Sequence, residues 1–232
     1  NYLSYGAARV ELPTQEEVDA FLPPPATNWH AALDPDRPMA VAPLTGGAGG
    51  PGPAMFVRYR KGQCSGMQNA LAAIEAAHED WARIVGRRHA PLVESYRMDD
   101  AETALVTLGS MTGAGKDAVD EARARGQRVG LVKVKTYRPF PVQAIAKALS
   151  GVKAVGVVDR SVSFGWNSGP LFQDVIGALQ FAAKRPAAMS FIGGLAGADI
   201  TTDHFGSVIE RVQALAQDGQ VGETVWLNEK DW

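Results

Sequence analysis

The chain has 232 residues, of which 46% are hydrophobic and 21% are charged, and this composition predicts a folded globular protein rather than a disordered one. Its 23 basic and 25 acidic residues give a formal net charge of −2, which gives no sign of the basic surface that nucleic-acid binding requires, so we do not expect a nucleic-acid partner. Cys64 is the single cysteine, the four histidines do not fall at metal-ligand spacings, and no long apolar run is present. These features exclude an internal disulfide, predict neither a metal site nor a membrane span, and favour a cytoplasmic setting.

The first predicted element is a short helix that ends near residue 22. Thr14 suits the N-cap position, and Glu17, three residues later, completes a capping-box pattern. Residues 22–54 follow and are rich in proline and glycine, which predicts an irregular arm laid over another surface. The first residue is Asn rather than Met, so we interpret the sequence as a segment of a longer protein.

Apolar residues then recur at steps of three and four, which predicts one long amphipathic helix over about 66–86 that ends at Gly86. From about residue 102, short β-rich runs alternate with helical patterns. The predicted strands are 104–108, 129–134, 153–158 and 187–192, and the predicted helices are about 114–126, 141–149, 170–184 and 203–218.

This alternation predicts an α/β fold in which a mostly parallel sheet carries helices on both faces. Parallel strands end at one edge of their sheet, which we call the carboxyl edge. Functional sites of such sheets lie in the loops at that edge. The expected site loops are therefore 109–113, 135–140, 159–169 and 193–201.

The first of these loops opens a glycine-rich run, 109–117, between a strand and a helix. Its spacing does not fit a phosphate loop, and Asp117 stands where such a loop needs Ser or Thr. A dinucleotide fingerprint matches only weakly, so we expect these glycines to serve a tight turn and a close approach of the helix. Ser110, Met111 and Thr112 are the candidate ligand or interface residues of this loop.

The loop over 159–169 is the second candidate, and its glycines, hydroxyls and aromatic residues suit either a contact surface or a ligand loop. We favour a subunit or domain contact, because no nucleophile, base and orienting group can be assembled from it. Its candidate residues are Asp159, Arg160, Ser163, Phe164 and Gly165. We expect Asp159 and Arg160 to form a local ion pair.

Arg138 lies in the turn 135–141 and is the third candidate. It could bind a carboxylate or phosphate in bidentate fashion, but an arginine in such a turn more often holds neighbouring carbonyls or a partner's acid. We expect a structural use. No catalytic residue is identified, and the residues that would bind a cofactor stay unknown.

The motifs and their order resemble the second domain of 2-oxoacid:ferredoxin oxidoreductases, whose type member is pyruvate:ferredoxin oxidoreductase. The resemblance covers nearly the whole chain and rests on 10–23, Gly109-Ser110, 126–141, 157–171 and 193–201. Ala198 departs from it, because the resemblance leads us to expect a basic residue there.

The resemblance implies a transketolase C-terminal-like domain of the alpha subunit. The family oxidatively decarboxylates a 2-oxoacid, here expected to be pyruvate, on thiamine diphosphate and passes electrons through [4Fe-4S] clusters to ferredoxin, forming an acyl-CoA. In the family, the catalytic glutamate, the substrate residues, Mg²⁺ and the clusters belong to other domains or subunits. One cysteine cannot ligate a cluster, which agrees with that division.

We therefore expect a chain that is inactive alone and assembles with the thiamine-binding and iron–sulfur parts of the enzyme. The expected organisation is a connecting segment and arm over 1–62, an amphipathic helix and linker over 63–100, and the α/β domain over 101–232. The alternative function is a nucleotide- or CoA-binding module that uses the loops of the carboxyl edge.

Overall fold

The computed structural model describes residues 6–7, 9–22, 35–36 and 52–229, and most of the predicted arm over 22–54 lies outside the described residues. The chain divides into two compact units: the first is Arg9–His89, and the second begins at Ala90 and also includes residues 6–7. Among the described residues, no helix is long and apolar enough to cross a membrane.

The described residues of the first unit form two helices, α1 (Gln15–Phe21) and α2 (Gly52–Val85). The predicted capping box at α1 is confirmed, because Glu17 N donates to Thr14 Oγ1 at 3.2 Å and Thr14 N donates to Glu17 Oε2 at 2.7 Å. The rings of Phe21 and Trp81 meet edge to face at 5.2 Å, which holds α1 against the C-terminal half of α2.

Helix α2 ends where the sequence predicts, at Gly86, whose φ of +75° suits glycine. The prediction of a start near residue 66 is wrong, because the helix begins at Gly52 and extends through Gly62 and Gly66. Each internal glycine costs about 1 kcal/mol relative to alanine, which weakens a helix without ending it.

The second unit is a six-stranded sheet in the order β1-β3-β2-β4-β5-β6. Its strands are β1 (Val93–Tyr96), β2 (Thr103–Leu108), β3 (Val129–Val134), β4 (Ala154–Asp159), β5 (Ala187–Ile192) and β6 (Val225–Trp226). Strand β1 pairs antiparallel with β3, and every other pair is parallel. The predicted α/β fold with a mostly parallel sheet is confirmed.

Four helices connect the parallel strands: α3 (Thr112–Ala124), α4 (Val142–Leu149), α5 (Pro170–Leu179) and α6 (Thr202–Asp218). Helices α3 and α6 bury one face of the sheet around Leu105, Phe191 and Phe205. Helices α4 and α5 bury the other face around Val132, Val157 and Leu171. Helices therefore cover both faces, which explains why β2 to β5 are mostly apolar.

The chain order reverses between β2 and β4, since the chain leaves β2 for β3 on one side and returns to β4 on the other. In open α/β sheets, this switch point is where the loops that follow the strands separate and leave a crevice. The loops after β2 and β4 border it here, so the fold places residues 109–111 and 160–169 on either side of the crevice.

Candidate functional site at the carboxyl edge

Arg160 links three loops of the carboxyl edge at the switch point. Its Nη1 donates to Ser110 Oγ, after β2, at 3.4 Å, and its Nη2 donates to the Gly194 carbonyl, after β5, at 3.3 Å. The side chain is exposed, and among the described residues no carboxylate lies within ion-pair distance of it. Two of the candidates predicted from the sequence, Ser110 and Arg160, therefore meet across the crevice.

Asp159 is buried at the end of β4, with 4% of its surface exposed. Its Oδ1 accepts from Leu171 N at 3.1 Å and its Oδ2 accepts from Phe172 N at 3.0 Å. These are amides of the first turn of α5, whose N-cap residue is Gly169 and has no side chain to cap them. A helix is usually capped by an Asp or Ser at its own N-cap position. Here Asp159, at the end of β4, provides the cap for α5 instead.

Burial raises the pKa of Asp159 to about 6, because loss of solvent disfavours the charged carboxylate more than the amides of Phe172 and Leu171 favour it. The nearby carboxylate of Asp174 raises this pKa further. The expected local ion pair with Arg160 is wrong, since the carboxylate turns inward to α5 while the guanidinium crosses to Ser110 and Gly194.

Met111 and Thr112, the other candidates of the first loop, point into the protein. Met111 is buried in the core against α3 and α6. The Thr112 hydroxyl donates to the Gly109 carbonyl at 2.8 Å and lies 3.0 Å from the buried Thr107 hydroxyl. Of the three candidates in this loop, only Ser110 is exposed to a ligand or partner.

The glycines of this loop have the structural uses that the sequence predicts. Gly109 has a φ of +79°, and a Cβ on Gly115 would lie 2.9 Å from Leu131 Cδ1 and 3.3 Å from Phe205 Cε1. The tight turn and the close approach of α3 are thus confirmed at these two positions.

Arg138 follows β3 and forms an ion pair with Asp174 of α5 at 2.9 Å. Its Nη1 donates to the Tyr137 carbonyl at 2.8 Å, and its guanidinium carbon lies 4.1 Å from the centre of the Tyr137 ring. Burial, together with the carboxylate of Asp174, raises the pKa of the Tyr137 phenol. Arg138 therefore clamps α5 to the loop after β3.

The loop 160–169 presents aromatic side chains to solvent. Phe164 is 92% exposed and Trp166 is 74% exposed. Ser163 forms a backbone bridge with Ser168 at the base of the loop, and Gly165 has a φ of +87°. The candidates Ser163, Phe164 and Gly165 thus belong to one turn, which also displays Trp166.

A cavity of about 420 Å³ lies beside this edge and is lined by the loop after β5 and by β6. Asn228 is one of its lining residues and holds the loop after β5, since Asn228 Oδ1 accepts from Gly194 N at 2.8 Å and Asn228 Nδ2 donates to the Asp199 carbonyl at 2.9 Å. Sequence reasoning missed Asn228 because nothing in the pattern relates it to a glycine 34 residues away. Trp166 was also absent from the candidate residues, although an aromatic residue between Gly165 and Asn167 is a sign of an exposed loop position.

Metal-ligand groups are not gathered anywhere in the described part of the chain, where no three His, Cys, Asp or Glu side chains are placed to hold an ion. The single cysteine, Cys64, is exposed on α2. One cysteine does not fit an iron–sulfur cluster, which is held by four cysteine thiolates in its common forms.

Residues 101–205 match the family model described as pyruvate:ferredoxin oxidoreductase core domain II. The chain is 62% identical to the alpha subunit of NADH-dependent phenylglyoxylate dehydrogenase from Aromatoleum evansii, covering 100% of this chain and 56% of that subunit. It is 34% identical to the pyruvate synthase subunit PorA of Methanosarcina barkeri, covering 99% of this chain and 55% of that subunit.

Among solved structures, 2-oxoglutarate:ferredoxin oxidoreductase from Magnetococcus marinus matches with 19% identity and a TM-score of 0.41, over 61% of this chain and 22% of that one. As the coverages of the two alpha subunits show, the chain spans about half the length of the curated relatives it matches.

Proposed function

Because this chain contains the core domain II of the pyruvate:ferredoxin oxidoreductase family and is homologous to 2-oxoacid oxidoreductase alpha subunits, we propose that it is an assembly segment of a thiamine diphosphate-dependent 2-oxoacid oxidoreductase. The whole enzyme would oxidatively decarboxylate a 2-oxoacid to an acyl-CoA in the cytoplasm. This segment would position the thiamine-binding and iron–sulfur parts, and would be inactive alone.

The observation that carries this proposal is the use of Asp159. It is the one buried acid among the described residues, and both of its oxygens are held by the amides of α5. Arg138 is likewise paired with Asp174, and the Thr112 hydroxyl is used within its own turn. Groups that could act on a substrate thus hold the domain together instead, which supports a structural role.

The substrate proposed from the sequence is pyruvate, and the identities support a different 2-oxoacid. A phenylglyoxylate dehydrogenase subunit shares 62% of its aligned residues with this chain, against 34% for a pyruvate synthase subunit. We therefore favour an aromatic 2-oxoacid over pyruvate. The same relative is NADH-dependent, which supports a nicotinamide acceptor beside the ferredoxin that the resemblance implies.

The test is activity of the complex purified through a tag on this chain. Thiamine diphosphate, Mg²⁺ and CoA are supplied, with phenylglyoxylate or pyruvate as substrate and NAD⁺ or ferredoxin as acceptor. We expect turnover by the complex and none by this chain alone. Turnover by the isolated chain would contradict the assembly role, and preference for pyruvate with ferredoxin would contradict the substrate proposal.

A second candidate, binding of coenzyme A or a nucleotide at the crevice, is favoured by Arg160, an exposed cation without a described acid partner at the switch point. Titration calorimetry of the full chain with CoA, NAD⁺ and ATP separates the two candidates. Micromolar binding that Arg160→Ala removes would support the second candidate. If none of the three ligands gives a heat of binding, the assembly role is the candidate that remains.

A further inference from the structure

A polar cavity of about 330 Å³ lies at the edge of the sheet where the parallel strands begin, which we call the amino edge. Glu102, Arg128 and Lys153 directly precede β2, β3 and β4 and line the cavity from the sheet. Gln213 and Gln217, near the C-terminal end of α6, line it from the helix. Its volume lies at the lower end of the range for ligand cavities, so it suits a small molecule.

One acid and two cations line this cavity. Glu102 Oε2 pairs with Lys153 Nζ at 2.6 Å, and Glu102 Oε1 pairs with Arg128 Nη2. Asp100, another acid near Arg128, is paired with Arg123 at 2.6 Å. A single carboxylate balances one of the two cations, so the described lining residues keep one net positive charge. Water does not neutralise such a charge, whereas a bound anion does.

Two residues that line the cavity carry buried oxygens without a hydrogen-bond partner among the described residues. These atoms are Thr103 Oγ1 and Gln127 Oε1. Thr103 is 4% exposed and lies two residues before Leu105 in β2, so its side chain points to the face that α6 covers. Buried polar groups are nearly always hydrogen-bonded, either to protein or to a molecule held beside them. The cavity that both residues line is the place for that molecule.

The charges around the cavity determine how such a molecule would lie. Its anionic group would face Arg128 and Lys153, at the starts of the strands. The C-terminal end of α6 carries the partial negative charge of the helix dipole, so hydrogen-bond donors such as hydroxyls would face Gln213 and Gln217. The Gln127 Oε1 atom is an acceptor as well and suits another hydroxyl. The lining therefore requires an anionic group and hydroxyls on one small molecule.

We propose that the cavity at the amino edge binds a small hydroxylated anion, in which a phosphate or carboxylate is accompanied by hydroxyl groups. The inference goes beyond the proposed function and does not depend on it, because every residue that carries it belongs to this chain. The site also lies at the opposite edge of the sheet from the crevice that Ser110 and Arg160 border.

The experiment is an NMR titration of the full ¹⁵N-labelled chain with glycerol 3-phosphate, glycerate and inorganic phosphate at constant ionic strength. We expect a Kd of about 1 mM or below for at least one of the two hydroxylated probes. The signals that should shift together are the backbone amides of Thr103, Gln127 and Lys153 and the side-chain amides of Gln213 and Gln217. The tighter probe identifies the anionic group as phosphate or carboxylate.

Two results of this titration would overturn the inference. One is the absence of shifts at these residues with every probe. The other is an equal affinity for inorganic phosphate, which would show an adventitious ion only and no recognition of hydroxyls.

Lys153→Gln tests the charge of the cavity. It removes the net positive charge and should raise the Kd of the tighter probe by about tenfold or more. The matched control is Lys147→Gln, which makes the same change of charge at an exposed position of α4, on the opposite face of the sheet. The control should change Kd by less than about twofold, and an equal effect of the two variants would reduce the binding to non-specific attraction.

Thr103→Val tests the unpartnered hydroxyl, because valine keeps the shape of the side chain and removes the oxygen. It should raise Kd by about fivefold or more. The thermal midpoint of the ligand-free variant should equal or exceed that of wild type, since a hydroxyl without a partner does not stabilise the fold. A fall of several degrees would show that the hydroxyl is already bonded within the protein, and would contradict the inference.

Hydrogen exchange tests whether the cavity is open in the assembled protein. The protein is purified through a tag on this chain together with its bound partners, and exchange is measured with and without the tighter probe. Slower exchange is expected at 100–104, 126–129 and 151–154. Protection of these residues in the isolated chain but not in the assembled protein would show that another part of the enzyme fills the cavity, and would overturn the inference.

Discussion

The carboxylate of Asp159 occupies the space that a side chain at Gly169 would need. A Cβ on Gly169 would lie 1.9 Å from Asp159 Oδ2 and 2.0 Å from Asp159 Cγ. The pair joins the end of β4 to the start of α5, because the acid supplies the cap that Gly169 lacks. The loop that carries the exposed Phe164 and Trp166 runs between these two residues, so the pair also fixes both of its ends.

Gly169→Ala should destabilise the second unit by about 2 kcal/mol or more, since the new methyl group displaces a buried carboxylate from the amides it caps. Denaturant unfolding monitored by circular dichroism measures the loss. The matched control is Gly113→Ala in the first turn of α3, where a Cβ meets nothing within 4 Å. That change should be neutral or slightly stabilising, and a similar loss at both positions would show that the clash at Gly169 is not the cause.

Asp159→Asn should change how stability depends on pH. The folded pKa of about 6 lies above the ordinary value of 3.8, so the folded protein holds the proton more tightly than the unfolded chain. The stabilising contribution is complete below about pH 4 and is lost as the pH rises through 6, by about 3 kcal/mol in total. Asparagine does not titrate, so the variant does not lose this stability as the pH rises.

Urea unfolding of wild type and Asp159→Asn at pH 4 and pH 7.5 tests this. The free energy of unfolding of Asp159→Asn minus that of wild type should be larger at pH 7.5 than at pH 4. Taking the difference cancels the titration of the other acids. A shift toward wild type at the higher pH would mean that the capping amides lower the pKa more than burial raises it.

The strands β2 to β5 and the helices that follow them could be predicted from the sequence because each strand is buried on both faces and each helix has a clear apolar period. The edge strands β1 and β6 could not. Strand β1 has only four residues and includes the charged Glu94, and β6 has two residues. Such short runs carry too little alternation to separate from a loop.

The candidate site was predictable only in part. Topology brings Ser110 and Arg160 together, and parallel strands with a switch point made that edge the expected place. The partner of Asp159 was not predictable, because the acid caps amides twelve residues along the chain rather than pairing with the adjacent Arg160. An Asp next to an Arg in the sequence suggests an ion pair between the two. The backbone at the end of β4 instead directs the Asp159 side chain toward α5.

Arg138→Ala should lower the free energy of unfolding by less than about 1 kcal/mol. Its ion pair with Asp174 is largely exposed on the arginine side, and pairs of this kind contribute little. Part of the loss should come from the contact with the Tyr137 ring, so Arg138→Lys should recover only some of it. Chemical denaturation of the three proteins measures this order, and a loss of several kcal/mol would indicate a buried network instead.

The most direct test of the central claim, that this chain positions its neighbours and does not act on the substrate, is the kcat of the intact complex carrying Ser110→Ala, Arg138→Ala and Arg160→Ala together. Assembly is verified first by sedimentation, so that activity is compared per assembled complex. We expect a kcat within about threefold of wild type and an unchanged KM for CoA, since a lost catalytic acid or base would cost about 100-fold or more. A 100-fold fall in a fully assembled complex would contradict it.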